Sequence, residues 1–94
     1  MQTSFDFYED PGHGWVKVSK ALLTELGIAD KVSAYSYKRG EFAYLEEDCD
    51  GTLFVDAIGA KGVIPKFREH TADRYSKIRS YEPYKPFEVK AYIG

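Results

Sequence analysis

Asp48 and Asp50, two aspartates separated by one residue, have the spacing in this chain that most directly suggests chemistry. With Gly51 and Thr52 they match a known phosphotransferase signature, in which the first carboxylate attacks phosphorus, the second handles the leaving-group proton and Mg²⁺ binds beside them. That chemistry is typical of a large doubly wound domain with a buried parallel strand before the motif. Only 42 residues follow Thr52, so a small metal-dependent phosphotransferase is a subordinate hypothesis.

The same segment nearly matches a calcium-binding loop. Glu46, Asp48 and Asp50 would fall at loop positions 1, 3 and 5, with Gly51 at the glycine position. Position 12 would be Ala57, where the loop needs a bidentate glutamate, and the preceding element is predicted to be a strand rather than a helix. We therefore expect no metal and no cofactor to bind here.

A third interpretation makes the segment the start of a helix. Asp48 or Asp50 would then cap the helix, because carboxylates bind free backbone N–H groups and favour the positive end of the helix dipole. Capping does not require five acids within residues 41–50, so the excess predicts an acidic, tyrosine-rich surface that binds a partner. The members of this predicted surface are Glu41, Glu46, Glu47, Asp48, Asp50, Tyr35, Tyr37 and Tyr44.

Charge is distributed unevenly along the chain. The net charge is −2, but residues 1–50 carry ten acids and five bases, and residues 51–94 carry five acids and eight bases. Bases interleaved with aromatic rings in the second half are typical of single-stranded nucleic-acid binding, which is the alternative hypothesis. The residues for that role are Lys66, Arg68, Arg74, Tyr75, Lys77 and Arg79. The negative net charge argues against nonspecific nucleic-acid affinity as the main activity.

The remaining reactive side chains form no recognisable motif. His13 lies in a glycine-flanked loop, where a histidine can act as a general base, but we expect it to hydrogen-bond the backbone. Nothing in the sequence brings Cys49 together with His13 or His70. The single cysteine excludes an intrachain disulfide and predicts a reducing, cytoplasmic location. No apolar run approaches the roughly 20 residues of a membrane span.

Apolar periodicity predicts the elements that position these residues. Residues 3–18 alternate as a β-hairpin with an irregular loop, and Ser19 is placed to cap a short helix that ends at Gly27. Two alternating runs flank Arg39-Gly40, which predicts a second hairpin with a two-residue turn. In that register Tyr37 would face Phe42 and Tyr35 would face Tyr44.

The second half continues the same pattern. A helix is predicted from about Asp50 to Lys61, followed by an edge strand over residues 63–70 that contains Pro65. Residues 77–81 predict a sixth strand. The order ββαββαββ indicates an α+β fold with a mainly antiparallel sheet of five to six short strands and two short helices.

Residues 1–82 are predicted to form one small domain, and residues 83–94 a C-terminal tail or a final edge strand. Several stretches inside the domain are similar to a family of small accessory proteins from phages, plasmids and bacterial chromosomes. The stretches are GHGW at 12–15, LGI at 26–28, YSY at 35–37, YLEEDCD at 44–50 and IRSY at 78–81. The resemblance covers about residues 8–82.

That resemblance implies an accessory protein of mobile DNA that binds a host protein complex and inhibits or modulates it, with defence complexes and CRISPR-type effectors among the candidates. The leading hypothesis is therefore a non-enzymatic protein-binding domain that uses the acidic, tyrosine-rich surface. An acidic surface can imitate nucleic-acid phosphates and occupy a basic groove on a partner. A homodimer is also compatible with the sequence.

Overall fold

The computed structural model describes residues 1–87 and has the predicted α+β architecture: a six-stranded sheet, mostly antiparallel, with two short helices. The order across the sheet is β5-β1-β2-β4-β3-β6, and only the pair β1 and β5 is parallel. The strands are β1 Ser4–Glu9, β2 Gly14–Ser19, β3 Tyr37–Arg39, β4 Phe42–Glu46, β5 Lys66–Thr71 and β6 Glu82–Pro83. The helices are α1 Lys20–Glu25 and α2 Thr52–Gly59, with a π-helical turn over Glu47–Gly51 and a 3₁₀ turn over Lys77–Ser80.

The sheet buries a core on each face. Both helices pack on one face, where the aliphatic residues of β2 and β4 meet Phe5, and the Phe5 and Phe54 rings make an edge contact at 4.9 Å. The opposite face carries Trp15 and Tyr44, which Ile78 of the 3₁₀ turn covers. The alternation of strand side chains produces this division, because successive residues point to opposite faces. The second face is the aromatic one.

The local signals around α1 are confirmed. The hydroxyl of Ser19 accepts a hydrogen bond from the backbone N–H of Leu22 at 3.1 Å, as an N-cap should. Gly27 has a φ of +74°, a left-handed conformation that glycine adopts without strain. The first hairpin is also confirmed, with β1 and β2 antiparallel.

The predicted register of the second hairpin is wrong. Tyr37 lies opposite Tyr44, and Arg39 lies opposite Phe42, so the turn is at Gly40-Glu41 rather than Arg39-Gly40. Lys20 holds this turn from outside the hairpin: its ammonium donates to the carbonyl of Gly40 at 2.7 Å, and its backbone N–H donates to the carbonyl of residue 41 at 2.9 Å. The predicted pairing of Tyr35 with Tyr44 is absent because β3 begins only at Tyr37.

The second helix is preceded by a different cap from the one predicted. The carboxylate of Glu46 accepts from the backbone N–H groups of Asp48 at 3.0 Å and Cys49 at 2.9 Å, so neither Asp48 nor Asp50 is the N-cap. The π-helical turn occupies the first residues assigned to the helix, and α2 itself runs over Thr52–Gly59. Gly62, with a φ of +82°, follows its end as predicted.

The last part of the described chain departs from the prediction in one element. Residues 77–80 form a 3₁₀ turn rather than a strand, because Ser76 caps it and Ile78 is anchored in the aromatic face. The edge position of β5 is confirmed, with Pro65 just before its first residue. The predicted tail or strand over 83–94 extends beyond the described residues and stays a prediction.

Candidate functional site

Three aromatic rings and two carboxylates meet in a cleft of about 300 Å³, which we call the aromatic cleft. Its rings belong to Trp15, Tyr35 and Tyr37, and its carboxylates to Glu46 and Asp48. The remaining lining residues are His13, Cys49 and Arg79. Rings beside carboxylates create a site that attracts cations, because the faces of the rings and the acids are both negative.

Strand pairing places the centre of the aromatic cleft. Trp15 on β2 is directly opposite Glu46 on β4, so their side chains are neighbours on the same face of the sheet. Tyr37 on the next strand brings its ring to 6.4 Å from the Trp15 ring at an interplanar angle of 63°. Tyr35 precedes β3 and is 62 % exposed, and its ring makes an edge contact with that of Phe87 at 5.5 Å.

Glu46 has one occupied oxygen and one free oxygen. Oε2 caps the π-helical turn, whereas Oε1 is buried and has no hydrogen-bond partner among the described residues. When protonated, His13 can form an ion pair with Oε1, because its Nδ1 lies 3.5 Å away. The indole Nε1 of Trp15 is likewise buried without an acceptor. A buried donor and a buried acceptor are costly unless water or a bound group pairs with them, so both atoms are available to a ligand of the cleft.

Arg79 forms one wall of the aromatic cleft and is held in place by Asp10. Its guanidinium lies 5.6 Å from the centre of the Trp15 ring and 4.3 Å from that of Tyr75. Arg79 holds the pKa of Asp10 well below its usual range, and the backbone N–H groups of Ser76, Gly12 and His13 lower it further. Because Asp10 neutralises this guanidinium, Arg79 does not offset the charge of the cleft carboxylates.

Cys49 and His13 do line the same cleft, but their state does not favour nucleophilic catalysis. Desolvation raises the pKa of the Cys49 thiol, and a hydrogen bond to Glu46 and nearby carboxylates raise it further. A reactive cysteine needs the opposite shift, because the thiolate is the nucleophile. His70 lies elsewhere, stacked on Tyr8 at 4.8 Å and 2.9 Å from Asp6. Within residues 1–87 no group of three His, Cys, Asp or Glu side chains is arranged to hold a metal ion.

The aspartate pair of the phosphotransferase hypothesis is split by the fold. Asp48 is exposed, whereas Asp50 is buried and accepts hydrogen bonds from the loop before β3. Asp50 accepts from the backbone N–H of Ser33 at 3.1 Å, from the Ser33 hydroxyl at 2.7 Å and from the Ser36 hydroxyl. All of these contacts are internal, so Asp50 is an organiser of structure rather than a partner of Asp48 in chemistry.

The predicted acidic surface is only partly brought together. Four of its members, Glu46, Asp48, Tyr35 and Tyr37, line the aromatic cleft. Glu47 lies across the π-helical turn in a different groove, and Glu41 lies at the turn of the second hairpin. Asp50 and Tyr44 are buried away from the cleft, and Glu46 is buried at its border.

The predicted basic segment does not present all of its cations to solvent partners. Arg68 is paired with Asp6 at 2.9 Å, and Arg79 is paired with Asp10 at 2.7 Å. The members that remain exposed without a salt bridge in the described structure are Lys66, Arg74, Lys77 and Tyr75. This arrangement leaves a sparse set of phosphate contacts for the nucleic-acid alternative.

Sequence reasoning missed Trp15 as a site residue and Asp10 as its support. Both depend on pairings between distant parts of the chain: β2 with β4 for Trp15, and the loop after β1 with the 3₁₀ turn for Asp10. The available signal was the glycine on either side of His13, which marks a loop that must approach another segment closely. A Cβ on Gly12 would meet the Arg79 side chain at 2.7 Å.

No family model, curated protein or solved structure matches this chain. The likeness to small accessory proteins of mobile DNA therefore stays a prediction. No helix in residues 1–87 has the length and apolar character needed to cross a membrane.

Proposed function

We propose that the protein is a non-enzymatic binding domain that captures a basic residue of a partner protein in the aromatic cleft. The observation that carries this proposal is the combination of Glu46 and Asp48 with three rings and a cation, Arg79, that is already neutralised. A ring face next to a carboxylate binds a cation more strongly than either group alone, especially where water is excluded.

Arginine is the basic residue that fits best. Its planar guanidinium stacks on aromatic faces and is more weakly hydrated than an ammonium group, so it loses less on entering the cleft. The Trp15 ring is only 1 % exposed, with the guanidinium of Arg79 5.6 Å from its centre, so an incoming guanidinium would stack on the more exposed rings of Tyr35 and Tyr37. A second guanidinium would reach Glu46 Oε1 on rotation of the His13 side chain, which is half exposed.

The two unpartnered atoms of the cleft favour a polypeptide over a free amine. A basic residue in a peptide supplies N–H donors for Glu46 Oε1 and a backbone carbonyl that can accept from Trp15 Nε1. A nucleic acid would bring phosphates toward Glu46 and Asp48, where like charges repel. The cleft chemistry therefore supports a protein partner with a positive surface.

The resemblance to accessory proteins supplies the biological setting of the proposal. The partner is a host protein complex, such as a defence or CRISPR-type effector, whose basic groove the protein occupies and thereby inhibits or modulates. The single cysteine, Cys49, supports a reducing, cytoplasmic setting. Blocking a basic groove requires no catalytic turnover. The proposal therefore needs no reactive thiolate at Cys49, whose pKa is raised.

Two synthetic peptides that differ by one group test the proposal. One contains a single arginine, and the other contains citrulline, which keeps the shape and removes the charge. Binding is followed through the fluorescence of Trp15, the only tryptophan of the chain. We expect the arginine peptide to bind at least about tenfold more tightly, which corresponds to about 1.4 kcal/mol.

Matched variants locate the binding. Asp48→Asn removes a charge at the rim of the cleft and should weaken binding of the arginine peptide several-fold. Glu41→Gln removes the same charge at the distant hairpin turn and should leave the affinity unchanged. Equal binding of the two peptides, or equal effects of the two variants, would contradict the proposal.

A further inference from the structure

The strand β5 is an edge of the sheet as residues 1–87 form it. It is the terminal strand, it pairs within that range only with β1, and all six of its residues are exposed. The backbone N–H of Lys66 bonds the carbonyl of Thr3 at 2.8 Å, and that of Ala72 bonds Glu9 at 2.9 Å, so even-numbered residues face β1. By the alternation of a parallel ladder, the N–H and C=O groups of Phe67, Glu69 and Thr71 point away from the sheet.

A groove of about 500 Å³, which we call the edge groove, lies beside this strand on the helix face of the sheet. Its apolar floor is formed by Phe7, Val16, Val55 and Phe67. Val55 on α2 and Phe67 on β5 are 38 % and 40 % exposed, so the two sides of the groove present apolar surface that no described residue covers. A strand added to β5 would direct alternate side chains to the helix face, next to Phe67 at the outer side of this groove.

Three glutamates surround the apolar floor: Glu9, Glu47 and Glu69. None of them forms a salt bridge with another described residue. Desolvation raises the pKa of Glu47, and the neighbouring carboxylates Asp48, Glu9 and Glu46 raise it further. Positive charge brought to this rim would relieve a repulsion that the free protein tolerates.

We propose that the edge groove binds an extended, basic segment of a partner protein, which adds as a strand to the free edge of β5. Three requirements define the segment. It offers backbone groups to Phe67, Glu69 and Thr71. At the alternate positions that point to the helix face it carries both apolar side chains, which pack beside Phe67, and lysine or arginine side chains, which reach the glutamate rim. Charge complementarity selects this occupant, because three uncompensated acids surround an otherwise apolar groove.

This surface is separate from the aromatic cleft. The π-helical turn lies between them, with Glu46 and Asp48 on the cleft side and Glu47 on the groove side. The inference does not depend on the proposed arginine capture, although one partner could use both surfaces. Each surface therefore needs its own variants.

The test uses the full chain labelled with ¹⁵N and an acetylated, amidated heptapeptide that has threonine at every second position. Valine and lysine occupy the positions between the threonines, so that both kinds of side chain point to the same face of the added strand. Addition of the peptide should slow hydrogen exchange at the amides of Phe67, Glu69 and Thr71, because these N–H groups gain acceptors. The same peptide with glutamate in place of lysine should bind at least about tenfold more weakly. A third peptide, methylated on alternate backbone nitrogens, should lose the protection because it cannot extend the ladder.

Charge reversal at the rim provides the matched control. Glu69→Lys should weaken binding of the lysine-valine peptide at least about tenfold. Glu25→Lys, at an exposed position of α1, should leave the affinity unchanged. Asp48→Asn, which tests the aromatic cleft, should weaken this binding far less than Glu69→Lys does.

Three results would overturn the inference. The first is equal affinity of the Glu69→Lys and Glu25→Lys variants for the peptide. The second is peptide-induced protection at Trp15 and Tyr37 rather than on β5, which would place the peptide in the aromatic cleft. The third is self-association of the free chain that Glu69→Lys abolishes, which would make a second copy the occupant of the edge.

Discussion

The guanidinium of Arg79 grips the buried carboxylate of Asp10 with two hydrogen bonds, Nε to Oδ2 at 2.7 Å and Nη2 to Oδ1 at 2.8 Å. Asp10 directly follows β1, and Arg79 lies in the 3₁₀ turn, so the pair joins segments that are 69 positions apart in sequence. The same carboxylate accepts from the backbone of Ser76 at 2.9 Å. This contact fixes one wall of the aromatic cleft and closes the aromatic face of the sheet.

Asp10→Ala should lower the free energy of unfolding by about 3 kcal/mol, because it leaves the guanidinium and several backbone N–H groups without an acceptor in a buried setting. Urea denaturation followed by Trp15 fluorescence measures the loss. The matched control is Asp6→Ala, which breaks the more exposed pair with Arg68. We expect a clearly smaller loss there, because exposed ion pairs are screened by water. Equal losses in the two variants would contradict the structural role of Asp10.

The same contacts make the fold sensitive to acid. Hydrogen bonds from Arg68 and His70 lower the pKa of Asp6 to about 2, and Arg79 holds the pKa of Asp10 well below its usual range. Both carboxylates are stronger acids in the folded chain than in the unfolded chain, where their pKa is about 4. Their stabilisation is therefore complete above about pH 5 and is lost progressively as the pH falls below 4.

Urea denaturation at pH 7, 5 and 3 checks this dependence. The midpoint should change little between pH 7 and 5 and fall between pH 5 and 3. In Asp10→Asn the fall should be shallower, because one of the two responsible carboxylates is gone. A variant curve parallel to that of the unsubstituted protein would show that Asp10 does not contribute.

Two glycines should respond to alanine in opposite directions. At Gly14 a Cβ would lie 2.4 Å from Cζ of Phe7 and 3.0 Å from a carboxylate oxygen of Glu47, so Gly14→Ala should destabilise the fold by about 1–3 kcal/mol. At Gly59, the last residue of α2, a Cβ meets nothing within 4 Å, so Gly59→Ala should stabilise the fold by about 0.5 kcal/mol. Thermal denaturation of the two variants gives the comparison, and shifts of the same sign would refute it.

The two aspartates of the π-helical turn should differ sharply on removal. Asp50→Ala deprives Ser33 and Ser36 of their acceptor and should cost about 2–4 kcal/mol. Asp48→Ala removes an exposed side chain and should change the free energy of unfolding by less than about 0.5 kcal/mol. The measurement is again urea denaturation at pH 7. A large loss of unfolding free energy in Asp48→Ala would contradict this difference, because it would mean that the Asp48 side chain also stabilises the fold.

Elements with local signals could be predicted from the sequence. The Ser19 cap marks the start of α1, and the left-handed Gly27 follows closely after its end. The alternation of apolar and polar residues is enough to predict the first hairpin. The fold class follows from the order of such elements. The register of the second hairpin could not be predicted, because Lys20 holds the turn at Gly40 from another part of the chain.

The candidate site was predicted only in part, for the same reason. Residues 46–48 have an evident charge pattern, yet the pattern does not reveal that Glu46 caps a turn while Asp50 binds two serines. Residues 77–80 form a 3₁₀ turn in which Arg79 contacts Asp10, although their sequence is compatible with a strand. Long-range pairing decides which of the charged residues remain free to bind.

The indole N–H resonance of Trp15 in a ¹⁵N spectrum tests the central claim most directly. In the free protein this group has no acceptor within residues 1–87. Titration with the arginine peptide should shift the resonance downfield to saturation, as a peptide carbonyl accepts its proton, and the citrulline peptide should leave it in place at the same concentration. An indole resonance that does not move with the arginine peptide, or moves equally with both, would contradict capture of a basic residue in the aromatic cleft.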